Sequence, residues 1–468
     1  MSSDRSTSAT AGADHDPSGD VTIGVTGRRE RWSVSPWGSV TSWSAPDAPA
    51  LDWFVAADDR WHVPSREPTV RRRRVEGTPV LETRLRIPDG DAVQRIWAVP
   101  DAGGGVVVEF ENESPMPVAV AVSGPELLTD RPPSDVEVRG IELDPGAVVL
   151  PVGHRATVRT GIGFAGARPT LANLPPADAV VRGWAGRARG ASHLVLPDEA
   201  LVEAVVSARC DLLLDGPVEP AHDPIGFLLD VGELVRCGDP ADDWLVEVVS
   251  PTERVARSVT RRRGAPIPSE RGGPVVRDAI AAARLVAARA GDERAVGDID
   301  ALWARIGAAA PATPAASAGA LASGDPTSLA SLRRSASVGR FVRAVERRLA
   351  SDGRLLVGGM PSAWLGRDLE VHHVPTGFGS SVSYALRWHG ERPAVLWEQH
   401  GERTVTLSAP DVDPGWTSEE SSGEALWAVP PTAARARRSI PLGGGVAPDR
   451  SDETGRPGGS SDSGGSFT

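Results

Sequence analysis

Hydrophobic and polar positions follow three successive rhythms along this chain. From residue 21 to 186, short β-branched runs such as "LETRLRIP", "VQRIWAVP", "GGVVVEFENES" and "PVAVAVSG" are punctuated by Gly, Pro and Asn-Glu turns. Regular turns without intervening helical periods predict a β-sandwich, with Asn112, Glu113 and Ser114 turning between two of its strands. From 187 to 350 the period lengthens. In "LPDEALVEAVVSARCDLLLDG" the residues Leu201, Ala204, Val205, Ala208 and Leu212 recur at helical spacing, with Asp198 as N-cap and Gly216 as stop. "PIGFLLDVGELVRCGD", "PADDWLVEVVSPTERVARSV", "PVVRDAIAAARLVAARAGD" and "VGDIDALWARIG" behave similarly. The Ala/Pro/Ser stretch 307–325 predicts a flexible loop, and a last helix carries Val338, Phe341, Val342, Val345 and Leu349 on one stripe.

Strands return from 351 to 440. The clearest is a hairpin, "VSYALRWHGERPAVLWE", in which Val382, Tyr384, Leu386 and Trp388 alternate with Ser383, Ala385, Arg387 and His389. That alternation predicts one apolar face with Trp388 pointing inward. Residues 1–20 and 441–468 are too polar to fold and predict disordered tails. The fold class is therefore multidomain α and β: N-terminal β-sandwich, central α-helical hairpin region, small C-terminal β-domain.

This order resembles the six-hairpin glycosidase group, bacterial enzymes with an N-terminal supersandwich, an α/α-toroid and a C-terminal β-domain. The stretches "DRWHVPSREPTVRRRRVEGTPVLETRLRIPDGDAVQRIWAV" and "LEVHHVPTGFGSSVSYALRWHGERPAVLWE" are similar to segments of actinobacterial proteins of that layout, and "LPDEALVEAVVSARCDLLL" resembles the first hairpin of such toroids. A complete toroid of that family has twelve helices, whereas residues 187–350 hold about six or seven at ordinary lengths. The resemblance thus implies a partial toroid. In those enzymes the loops of the ring supply both catalytic carboxylates, so a reduced ring points away from catalysis.

Composition narrows the partners. The formal net charge of −12 opposes general affinity for nucleic acid or anionic lipid. All 50 basic residues are Arg, and the run Arg71 to Arg74 reads as a solvated strand face. The two cysteines, Cys210 and Cys237, sit in apolar helical sequence with no CxxC spacing and read as buried thiols. The polar, acidic start is not a secretory signal, and no window is apolar enough to span a membrane, so a cytoplasmic location is expected.

Inverting glycoside hydrolysis needs one protonated and one ionised carboxyl about 6.5 to 9.5 Å apart. The densest carboxylate stretch, "DGPVEPAHDPIGFLLDVGELVRC", offers Asp223, Asp230 and Glu233 as catalytic candidates. Asp223 precedes a proline and is placed as an N-cap, while Asp230 and Glu233, three apart on a helix, are expected to face water. His372 and His373 are adjacent on a strand and point to opposite faces, so no metal site is expected, and no cofactor fingerprint occurs. Tryptophan suggests a different chemistry. Most of the 14 fall in the two β-regions, and flat aromatic faces stack on pyranose rings as well as packing cores. Trp61, Trp397 and His389 are the candidate ligand contacts. The leading expectation is a non-catalytic carbohydrate-related binding or accessory protein. The alternatives are an inverting glycoside hydrolase and a structural or interaction protein.

Overall fold

The computed structural model describes residues 19–135, 138–260, 273–307, 333, 337–401 and 403–431. The expected loop at 307–325 lies outside the described residues beyond Gly307, as does the C-terminal tail and all but the last two positions of the N-terminal one.

Three antiparallel sheets occupy the first part of the chain. The smallest contains β1 (Val21–Gly24), β2 (Arg31–Val34) and β3 (Val40–Ser42). A four-stranded sheet runs β12 (Val148–Val152), β10 (Val118–Ser123), β4 (Asp52–Ala56), β5 (Trp61–His62). A six-stranded sheet runs β11 (Leu128–Thr129), β13 (Thr157–Gly163), β9 (Gly105–Asn112), β8 (Gly90–Val99), β7 (Leu81–Ile87), β6 (Arg71–Arg74). One apolar core draws side chains from all three, and Trp53 of β4 meets Phe110 of β9 with ring centroids 5.5 Å apart. The expected turn at Asn112 forms as written. Its carboxamide oxygen accepts from the Ser114 N–H and hydroxyl, and its Nδ2 donates to the Met116 and Val152 carbonyls, which makes a polar residue tolerable at full burial.

Helix formation begins earlier than the expected boundary at 187. In α1 (Ala177–Arg189) the residues Val181, Ala185 and Ala188 form a buried stripe. Val181 packs on the outer face of the six-stranded sheet against Val80, Trp97 and Val107, an apolar patch that needs a cover. The helices then follow as α2 (Glu199–Asp215), α3 (Pro224–Arg236), α4 (Leu245–Thr260), α5 (Pro274–Arg289), α6 (Glu293–Gly307) and α7 (Val338–Leu349). Asp198 caps α2 by accepting from the Leu201 N–H, Gly216 ends it at φ +81°, and the predicted stripes of α2 and α7 are in the core. Among the described residues no helix is long and apolar enough to cross a membrane.

The last sheets are not purely C-terminal. The larger runs β14 (His193–Val195), β17 (Leu369–Gly377), β18 (Ser380–His389), β19 (Arg392–Gly401), β22 (Ser422–Leu426), so a strand from the expected helical region pairs with β17 and stitches the two parts together. The smaller contains β15 (Ala350–Ser351), β16 (Arg354–Leu355), β20 (Leu407–Ala409) and β21 (Asp413–Ser418), with β16 and β20 parallel. The hairpin β18–β19 pairs from Ser380↔Gly401 to His389↔Arg392 around Gly390 and Glu391, with Val382, Tyr384 and Leu386 buried. Trp388, expected inward, is only partly buried. It packs at the edge of the core, and its Nε1 donates to the Arg367 carbonyl.

The arginine run proves structural. β6 is an edge strand whose side chains split: Arg73 pairs with Glu82 at 2.9 Å, while Arg74 reaches Asp211 of α2 at 2.7 Å and ties sheet to helices. Deeper still lies a relay of charge that joins four helices. Arg209 of α2 donates to Glu233 of α3 (2.5 Å) and to Glu346 of α7 (3.2 Å). Arg236 donates to both of the same carboxylates, Arg343 bridges Glu346 to Asp278 of α5, and Arg347 pairs with Asp278. Arg209 also donates to the Ala188 carbonyl in the last turn of α1 and to the Ser192 carbonyl in the turn after it.

Removing one partner of such a buried pair leaves an uncompensated charge, a loss of about 3–5 kcal/mol. Glu346→Gln is accordingly expected to lower the unfolding free energy by about that amount, measured by urea denaturation. The exposed pair Arg182–Asp178 of α1 serves as the control, and Arg182→Ala should leave the midpoint where it was.

Candidate functional site

α5 has two faces. Val276, Ala279, Ile280, Ala283, Val286 and Ala287 enter the helical core, whereas Arg277, Ala281, Leu285 and Ala288 line a cavity of about 690 Å³. α3 and α7 supply Gly232, Glu233, Arg236, Arg343 and Arg347 to its floor, and the turn end of the large C-terminal sheet supplies Thr376, Ser380, Ser381, His373 and His400 to the opposite wall. The wall is held in place by Phe378, which leaves the β17–β18 turn and stacks on Trp303 of α6 at 4.1 Å and 14°. The guanidinium of Arg284 lies 5.0 Å from the same ring and pairs with Asp300. Gly379 follows at φ +76°, and a Cβ there would come within 3.3 Å of Arg284, so the turn takes a glycine.

Six arginines and three carboxylates line the cleft. Each of those carboxylates is engaged. Glu233 accepts Arg209 on one oxygen and Arg236 on the other, Asp278 accepts Arg343 and forms an ion pair with Arg347, and Asp352 sits 3.5 Å from Arg277. Burial alone would push Glu346 up, but Arg236, Arg343 and Arg209 around it hold it far below the usual carboxylate range.

The histidine wall depends on a β-bulge. Pairing of β17 with β18 shifts between Val371 and Val374, leaving His372 and His373 opposite one residue, with His373 at φ +56°. The His373 N–H donates to Ser383 Oγ, which contacts His400 Nε2 at 2.9 Å, and the His373 and His400 rings lie 4.6 Å apart. His372 turns away and stacks on His193 of β14 at 5.6 Å. Burial, together with the neighbouring His400 and His372, holds His373 below the ordinary histidine range. No cluster of three metal-ligating side chains occurs among the described residues.

The candidates chosen from sequence scatter. Asp223 caps α3 through the Gly226 N–H, as expected, and pairs with Arg340 at 2.6 Å. Burial pulls its pKa up, but the Arg340 pair and the Gly226 N–H outweigh it and hold the carboxyl below its usual range. Asp230 and Glu233 do not face water: both are buried, at 1% and 2% exposure, because α3 is covered by α5 on one side and by α7 on another. Asp230 accepts the Gly339 N–H at 2.6 Å and the Val218 N–H at 3.1 Å, which pins α7 and the segment before α3 to one point. Of the three, Glu233 alone lines the cleft. Trp397 is buried in a tryptophan cluster, edge-on to Trp416 at 5.3 Å and against Gly423, where a Cβ would meet its ring at 2.7 Å. Trp61 is partly exposed, with its Nε1 donating to the Arg139 carbonyl, and His389 is exposed at the hairpin tip, both away from the cleft. The lining residues Arg277, Trp303, Arg343 and His400 come from four separate elements, and nothing in their spacing along the chain marks them.

No protein-family model matches the chain, and no curated protein is significantly similar to it.

Burial pushes the Asp230 carboxyl up to about 6 against the pull of its two N–H donors. A carboxyl whose pKa is higher folded than unfolded binds more protons in the folded state between the two values, so stability is lost as pH rises through that interval. Relative to Asp230→Asn, the native protein should lose on the order of 2–3 kcal/mol from about pH 4 to about pH 6. Urea midpoints across that range read the difference, and a pH-independent offset would contradict it.

Proposed function

We propose that this protein is a carbohydrate-related binding or accessory protein of the six-hairpin glycosidase type, acting in the cytoplasm without catalysis of its own. In this reading the N-terminal sheets are its sandwich, α2 to α7 a partial toroid, and the cleft between the helices and the large C-terminal sheet its ligand site. The observation that carries the reading is the composition of that cleft. It has the size of small-molecule pockets, and it combines an aromatic side chain, Trp303, with hydroxyl and imidazole groups suited to sugar hydroxyls. An acid–base pair is a different matter. Each carboxylate on the lining is tied to arginine, and Asp215 and Asp230, which burial pushes up to about 6, lie outside the cavity.

Full-length protein on a glycan array is expected to give hits, and Ala281→Trp, which fills the cleft from α5, should abolish them while leaving the unfolding midpoint intact. A panel of aryl glycosides should release no leaving group. A blank array would overturn the binding reading, and steady release that Glu233→Gln removes would overturn the non-catalytic one.

A further inference from the structure

The cleft concentrates positive charge in a chain whose formal net charge is −12. Along the relay beneath it, four guanidinium groups, Arg209, Arg236, Arg343 and Arg347, share three carboxylates, Glu233, Glu346 and Asp278. These side chains are between 0% and 17% exposed, so water screens the surplus cation poorly. Three more arginines line the same space, of which Arg284 has its own partner in Asp300. Arg277 has Asp352 no nearer than 3.5 Å, and Arg289 donates through Nη1 to the Val235 carbonyl with no carboxylate partner among the described residues.

A buried charge without its counter-ion destabilises a fold, and such local conflicts are concentrated where a protein binds or reacts. The partner that would relieve this one is an anion. Guanidinium groups present paired N–H donors that match the two oxygens of a carboxylate or a phosphate ester, and a cationic cleft within an acidic protein focuses the field that draws such a group in.

We infer that the ligand of this cleft is a sugar bearing an oxyanion, a carboxylate or a phosphate ester. Arg277 receives the anionic group beside Arg343 and Arg347, and the ring lies toward Trp303 and the serines of the sheet wall; Arg289, twelve residues on along α5 and so about 18 Å farther along its axis, is the distant control. The sugar part rests on the binding role proposed above. The charge rests on the arginine surplus alone, so the two can fail separately.

Calorimetric titration of the full chain with glucose, glucuronate, glucose 6-phosphate and inorganic phosphate, at low and high ionic strength, tests it. Glucuronate or glucose 6-phosphate is expected to bind at least about tenfold more tightly than glucose, and added salt should weaken only the charged ligands. The two charged sugars distinguish carboxylate from phosphate ester. Arg277→Gln should cost about tenfold or more for the charged sugar and leave glucose unchanged, whereas Arg289→Gln should change both little. Both arginines lie outside the relay, so unchanged urea midpoints will show that the variants fold, and Arg277→Lys, which keeps the charge but not the fork, should fall between. Equal affinity for glucose and the charged sugars would overturn the anionic inference and leave the binding role standing. Phosphate binding that Arg277→Gln abolishes, with every sugar silent, keeps the anion site and overturns the sugar. No saturable binding of any charged probe, or charged-sugar affinity untouched by Arg277→Gln, overturns the inference.

Discussion

Glu346 is a fully buried carboxylate on α7, and the helical part of this protein is organised around keeping it ionised. Its oxygens accept hydrogen bonds from Arg209 of α2, Arg236 of α3, Arg343 of its own helix and Ser192 of the turn after α1. An ion at that depth is tolerable only when its lone pairs are met and its charge is balanced. Four chain segments distant in sequence must therefore arrive in one place. The same demand brings a surplus of guanidinium groups to the floor of the cleft, since Arg236 and Arg343 serve the relay and line the cavity at once. Scaffold and site share those atoms.

The opposite wall is built by different means. A β-bulge at His372–His373 and a glycine-flanked turn at Gly377–Gly379 break the regularity of β17 and β18, and the break sends His373 and Phe378 across to the helices. Phe378 then packs on Trp303 while Arg284 lies over its ring. β14, paired with β17, adds a backbone link between the two parts of the fold. The cleft is thus bounded by two layers joined through hydrogen bonds at one side and aromatic stacking at the other, an arrangement that gives a polar lining on rigid elements.

Local structure was legible in the chain wherever one physical rule dominated. The caps Asp198 and Asp223, the stripe from Leu201 to Leu212, the stop at Gly216, the Asn112 turn and the β18–β19 hairpin all formed where period, capping and turn chemistry placed them. α1 was missed because "ADAVVRGWAGRAR" carries only three buried positions and sits among strand-like neighbours. The burial of Asp230 and Glu233 was missed for another reason. Carboxylates three apart on a helix face water unless something else covers them, and α5 and α7, which do so here, enter the chain some forty to one hundred residues later.

The sequence by itself determined the alternation of strand-rich and helical stretches, the net acidic charge, the buried thiols of Cys210 and Cys237, now pushed up to about 12 by burial, and the apolar faces of helix and hairpin. Those follow from interactions among residues close in the chain or from composition summed over it. Tertiary structure decided which charges meet. It turned an arginine run into a strut between sheet and helix, turned Trp397 from a candidate platform into core, and gathered arginines from α3, α5 and α7 around one cavity. Long-range ion pairs leave no periodic trace in sequence, because their strength depends on distance and burial, and both exist only once the chain has folded.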